Sequence, residues 1–266
     1  MKFRLPKTLV LVLLLAACAK VPISNRKQIL LYKDSEMLSL SLTSYSDFLK
    51  KNPPVPSSEP NAQLVINVGA RMRTAVEQYL RQNGYSESIK GFKWEFNLVN
   101  NKEVNAWCMP GGKVVVYSGL LPVTQNEASL ACVMGHEIAH AVARHGNERM
   151  SQEMMTGLGG MALDAALANK STETRQIFMT AYGAGATVGV ILPYSRMHET
   201  EADKLGLVFM AMAGYDPNTA IGFWERMSKT GGSKPPELLS THPSDQTRIS
   251  NLKAYMPTAM KYYKKS

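Results

Sequence analysis

The sequence predicts an α+β fold, mainly helical, with one small sheet. Three observations carry this. Long segments repeat apolar residues at helical spacing, two short β-like runs stand in the middle of the chain, and 266 residues with 45% hydrophobic content suit one sizeable core. The order is helices, a small sheet, then helices, with no internal repeat, which argues for one domain.

The first element is an address. Met1–Lys7 is basic (Lys2, Arg4, Lys7), Thr8–Leu15 is apolar, and Leu15-Ala16-Ala17-Cys18 follows. This looks like a bacterial lipoprotein signal, so residues 1–17 are expected to be removed and Cys18 to be acylated. Several acyl chains would anchor the protein to a membrane. Ala19 after the cysteine points to the outer membrane, facing the periplasm, with 18–28 as a tether and 29–266 as the folded domain. Lys33–Lys50 carries Met37, Leu38, Leu42, Tyr45, Phe48 and Leu49 at helical spacing. Asn52–Pro60 breaks the pattern, and Ala62–Gln82 resumes it with Leu64, Val65, Val68, Met72, Val76 and Leu80, stopped by Asn83-Gly84. Phe92–Val99 alternates like a strand, and Lys113–Tyr117 is a β-branched run after Pro110-Gly111-Gly112. Helices are expected over Asn126–Met150, Glu199–Ala213, Pro217–Lys229 and Ser244–Tyr255. The Met-, Ala- and Gly-rich stretch between Met150 and Leu192 has no charge from Gln176 to Leu192 and reads as a helical hairpin, packed in the core or lying over a cleft.

Composition narrows the function. Charged residues are 19%, and Gly (19) and Pro (14) are ordinary, which excludes collagen, coiled coil and wholesale disorder. Three cysteines exclude a disulfide scaffold; Cys108 and Cys132 are left as a possible pair. The net charge is +9, but its basic residues are scattered apart from Lys261, Lys264 and Lys265, so no nucleic-acid partner is expected.

The chemistry centres on Gly135-His136-Glu137-Ile138-Ala139-His140. On a helix, His136 and His140 lie roughly 40° apart and can grip one ion, while Glu137 is close enough to reach water beside it. The flanks Leu130, Cys132, Val133, Met134, Ala141, Val142 and Ala143 describe a buried helix, in which two histidines and a glutamate need partners. A third ligand is sought downstream. His145 would face elsewhere on a continued helix. In Ser195-Arg196-Met197-His198-Glu199-Thr200-Glu201-Ala202-Asp203, Glu199 and Asp203 share a face. Glu199 is preferred as ligand over Glu201, which lies roughly 200° round. Asp203 would accept from the distal nitrogen of a ligand histidine. His198 reads as peripheral.

These residues resemble the gluzincin metallopeptidases of the CAAX prenyl protease and HtpX group, nearest its soluble bacterial branch. The likeness extends from Val104-Asn105-Ala106-Trp107-Cys108-Met109-Pro110-Gly111-Gly112, through the histidine helix and Glu199-x-Glu201-Ala202-Asp203, to Ser240-Thr241-His242-Pro243-Ser244 with Arg248. It implies a zincin-like domain holding one Zn2+ per chain on His136, His140 and Glu199, with Glu137 activating water for peptide-bond hydrolysis. It also implies that His242 sits near the zinc, as oxyanion donor or removable fourth ligand, with Arg248 and Tyr194 as weaker candidates. Asn105, Ala106 and Trp107 would form a sheet edge beside the active-site helix and bind substrate as an added strand. Unfolded or misassembled cell-envelope proteins are the expected substrates. The alternative is a periplasmic chaperone with latent protease activity.

Overall fold

The computed structural model describes residues 18–187, 192–230, 238, 242 and 246–264. It opens on a hairpin: β1 (Cys18–Lys20) pairs antiparallel with β2 (Lys27–Ile29). Cys18 is thus the first residue of a strand. The segment expected as a tether is bonded to the domain, with Val21 fully buried. Helix α1 (Asp34–Lys51) follows, its start closed by Glu36, whose carboxylate accepts from the Lys33 N–H at 2.8 Å. Helix α2 (Pro60–Gln82) begins at a proline, whose fixed φ suits the first turn. Its stripe Val65, Val68, Met72, Val76 and Leu80 is fully buried. Between them the Pro-rich breaker is no free linker, because the Val55 N–H donates to the Leu98 carbonyl at 2.8 Å.

The sheet has three strands, β3 (Glu95–Val99), β4 (Ala106–Met109) and β5 (Lys113–Tyr117), in the order β3-β5-β4. β3 runs parallel to β5, and β4 antiparallel to it. The central β5 is buried along its whole length, which is why it reads as an unbroken β-branched run rather than an alternation. Its Lys113 is buried and bonds the Lys93 carbonyl at 2.6 Å and the Glu95 carboxylate. The β4–β5 turn needs glycine: Gly112 sits at φ +76°, and a Cβ there would lie 2.7 Å from the Trp94 ring.

The second half is helical: α3 (Glu127–Val142), α4 (His145–Ala166), α5 (Thr172–Ala186), α6 (Leu192–Met212), α7 (Thr219–Lys229) and α8 (Gln246–Ala259). Asn126 caps α3, accepting from the Ser129 N–H at 2.8 Å. The helix expected from Asn126 to Met150 is two helices. Arg144 adopts the left-handed φ of 58°, which ends one and starts the next on a new axis. The hairpin expected between Met150 and Leu192 is formed by α4 and α5, tied by Arg175 to Asp164 at 2.6 Å and by Tyr182 to the Thr156 carbonyl at 2.7 Å. No residue of α5 is buried, so the hairpin is not core packing. Among the described residues, no helix is long and apolar enough to cross a membrane.

Helices α3 and α6 cross at glycines. A Cβ on Gly206 would come within 2.9 Å of the His136 nitrogen, and one on Gly135 within 3.0 Å of the Gly206 carbonyl. Leu130, Met134 and Ile138 of α3 and Leu205, Val208 and Phe209 of α6 are all fully buried in the same core. The mainly helical α+β class expected from the sequence is the one observed. Gly206→Leu forces the helices apart and is expected to destabilise the fold by about 1–3 kcal/mol in urea unfolding, the usual cost of overpacking.

Candidate metal centre

The crossing of α3 and α6 brings the expected residues together. His136 and His140 project from one face of α3, with their Nε2 atoms 3.1 Å apart. Glu199, about two turns into α6, places Oε2 3.3 Å from His136 Nε2 and Oε1 3.3 Å from His140 Nε2. His242 adds Nδ1 at 2.9 Å from Glu199 Oε1 and 3.3 Å from His136 Nε2. Donor atoms of all four residues lie within 4.8 Å of one another.

The donor set fits zinc. A tetrahedral ion about 2.0–2.1 Å from each nitrogen sets neighbouring nitrogens roughly 3.3 Å apart. Glu199 Oε2 is buried with no hydrogen-bond partner among the described residues, as an atom reserved for a cation would be. Burial alone would raise the Glu199 carboxyl. The surrounding imidazoles outweigh it and hold the group well below the ordinary carboxylate range.

Asp203 faces the outer nitrogen of His136, with Oδ1 2.9 Å from Nδ1. Burial would raise this carboxyl too, but Arg248 and His136 keep it ionised, below its ordinary value. An acceptor-only carboxylate assigns the hydrogen to His136 Nδ1 and leaves the Nε2 lone pair facing the cluster. Arg248 donates to the same Oδ1 at 2.6 Å and lies flat on Trp224, 3.5 Å from the ring centre. It supports the aspartate rather than facing open solvent.

Glu137 is 3% exposed, and its Oε1 has no hydrogen-bond partner among the described residues. Burial lifts its carboxyl above the ordinary range, with His242 and His136 pulling the other way. Glu137, His140, Glu199 and His242 open into one cleft, whose wall includes Cys108 and Pro110.

β4 borders that cleft and is one of the two edge strands of the sheet. The Asn105 carbonyl accepts from the Tyr117 N–H at 3.0 Å, so by antiparallel alternation the main-chain groups of Ala106 and Cys108 face away from β5. The Ala106 N–H is met by Asn105 Oδ1 at 2.9 Å. Trp107 points the other way and packs edge-on against Phe48, ring centres 4.9 Å apart.

Two expectations are corrected. His145 does not face away, because the left-handed Arg144 re-aims the chain and sets His145 Nδ1 3.0 Å from His140 Nδ1. Burial lowers its pKa to about 4. His198 is not peripheral: it is 6% exposed and bonds Glu148 at 2.9 Å. Glu201 points away from the ligand cluster, as its position on the helix implies, and bonds His145, Ser24 and Arg26. The charge network around it was missed. Its partners lie 56 to 177 residues away, and no local periodicity links them. Cys108 and Cys132 are free thiols, both pushed up by burial, Cys132 to about 12. Residues 1–17, the Tyr194 side chain and the neighbours of His242 from Ser240 to Ser244 lie outside the described residues.

Residues 69–256 match the family model of peptidase family M48. The mitochondrial metalloendopeptidase OMA1 of Saccharomyces cerevisiae is 30% identical over 93% of this chain and 71% of its own length. Its counterpart in Schizosaccharomyces pombe is 32% identical over 90% and 66%. The beta-barrel assembly-enhancing protease of Escherichia coli is 33% identical over 65% of this chain, which spans 36% of that protein. These findings overturn the outer-membrane placement expected from the leader, since the relatives aligned over nine-tenths of the chain are mitochondrial enzymes. A short basic segment and an apolar run are shared by several targeting signals, so composition does not select the compartment. Asp203→Ala is expected to cost about 3–5 kcal/mol in urea unfolding of the metal-free protein, because it removes one member of the buried Asp203–Arg248 pair.

Proposed function

The chain belongs to peptidase family M48 and is a metalloendopeptidase, and on that premise we propose that it holds one zinc ion on His136, His140 and Glu199 and cleaves extended segments of unfolded protein. The observation that carries the reading is the cluster of imidazole and carboxylate donors with the buried Glu137 beside it. Zinc held there would polarise the scissile carbonyl and make water acidic enough to ionise near neutral pH.

The chain's own residues supply the rest. Asp203 holds His136 in the tautomer that presents Nε2. Glu137 Oε1 takes a proton from the attacking water and passes it to the leaving amine. Its burial makes it a stronger base than an ordinary glutamate. The outward main-chain groups of β4, chiefly those of Cys108, lie where a substrate strand would pair. Pairing through the main chain accepts many side chains, which is why unfolded protein is the proposed substrate class. The envelope setting falls with the outer-membrane placement. The unit that acts is residues 29–266 with the segment 18–28 docked on it.

His242 supports a second state of the same enzyme. Its Nδ1 stands among the ligand atoms, and a fourth protein donor fills the position that a catalytic zinc keeps open. In that state the cleft would hold chains without cutting them, and His242 would have to move off before cleavage. His242→Ala is expected to raise cleavage if the histidine is such a ligand, and to lower it about 100-fold or more if it stabilises the oxyanion.

The test of the main reading is degradation of a reduced, unfolded protein by wild type and by Glu137→Gln, each with zinc content measured. The variant should keep its zinc and lose about 100- to 10,000-fold in rate. Equal rates would overturn Glu137 as the base.

A further inference from the structure

Ser24 and Arg26 lie on the turn between β1 and β2, and both reach α6. Ser24 Oγ donates to Glu201 Oε1 at 2.6 Å, and Arg26 Nε donates to the same oxygen at 2.9 Å. Arg26 Nη2 donates to Glu201 Oε2 at 3.0 Å. The outer edge of the same guanidinium grips Glu148 of α4, Nη1 to Oε1 at 2.6 Å and Nη2 to Oε2 at 2.7 Å. One planar fork therefore clamps two helices through two carboxylates, a geometry an ammonium group cannot reproduce. Two stacked imidazoles, ring centres 4.2 Å apart, meet the same pair: His145 Nε2 at 3.1 Å from Glu201 Oε2, and His198 Nε2 at 2.9 Å from Glu148 Oε2.

Hydrogen accounting carries this clamp to the metal centre. Glu201, held by a guanidinium, is a carboxylate and only accepts. The hydrogen in its bond with His145 therefore sits on His145 Nε2, and His145 Nδ1 is an acceptor. That atom faces His140 Nδ1 at 3.0 Å, so His140 Nδ1 carries the hydrogen. His140 Nε2 is left bare, and it is the atom that faces His136 Nε2 and Glu199 Oε1. A metal takes the bare nitrogen of a neutral imidazole. Asp203 does this for His136 directly. For His140 the carboxylate stands one imidazole further out, and its own position depends on a residue from the start of the chain.

We propose that Arg26 is a positioning residue for the metal centre, acting through Glu201 and His145 to hold His140 in the tautomer and orientation that present Nε2. The hairpin at residues 18–29 is then part of the site rather than a leader to it. The inference rests on the reading of His136, His140 and Glu199 as zinc ligands.

The test compares wild type, Arg26→Gln and Arg26→Lys of the whole chain in three measurements: zinc affinity by chelator competition, the visible spectrum of the cobalt(II) form, and thermal unfolding of the metal-free protein. Arg26→Gln should weaken zinc binding about 10- to 100-fold, the range for an outer partner of a metal-bound histidine, and shift the cobalt bands. Arg26→Lys should lose less, since it keeps the charge without spanning both carboxylates. A merely structural role would lower thermal stability with affinity and spectrum unchanged, and that result overturns the proposal. If Arg26→Gln does not fold, Arg26→Lys decides it on the same two readouts. A wild type that binds no zinc, or a Glu199→Gln variant that binds it as tightly as wild type, would bring down the ligand assignment. Tight ligand-dependent binding with an indifferent Arg26 would bring down only this inference.

Discussion

Helices α3 and α6 can approach closely only because Gly135 and Gly206 face each other where they cross. Any side chain there would press on the main chain of the other helix, at 2.9 Å from the His136 nitrogen in the case of Gly206. The consequence is chemical. At that separation a glutamate on α6 reaches the same point as two imidazoles on α3, and Asp203, 67 residues from His136, can take its outer nitrogen. A wider crossing would leave the same residues facing one another across a gap too large for one ion.

The two histidines are steadied differently. His136 is deep, with a direct carboxylate partner whose charge is balanced by Arg248 stacked on Trp224. His140 lies nearer the cleft and is backed by His145, behind which stand Glu201, Glu148, His198 and Arg26. Buried charges on this scale are stable only when every member is paired. Here that pairing draws α4, α6 and the N-terminal hairpin into one network, so the segment before α1 is joined to the domain by charge as well as by the burial of Val21.

The sheet has the complementary task of giving the cleft an open wall. β5 spends all its main-chain capacity between two neighbours, while β4 spends only one side. The glycine turn that closes the β4–β5 hairpin and the packing of Trp107 on Phe48 fix the edge without covering it.

Much of this was legible in the residues themselves. The buried stripe of α2, the unbroken apolar β5 and the i, i+4 pairs His136/His140 and Glu199/Asp203 are local patterns, and local geometry makes them readable over one or two turns. The facing glycines, the break at Arg144, the inward turn of His145 and His198, the partners of Glu201 and the clamp of Arg26 were decided by tertiary structure. Each depends on which segments meet in space. A helical wheel drawn through Asn126–Met150 fails at the single left-handed residue it cannot anticipate, and a periodicity knows nothing of a partner 122 residues away. Residue types and their local spacing set which side chains could do the chemistry. Only packing determined which of them would be neighbours, because close approach is a property of two surfaces and neither surface is written in one stretch of chain.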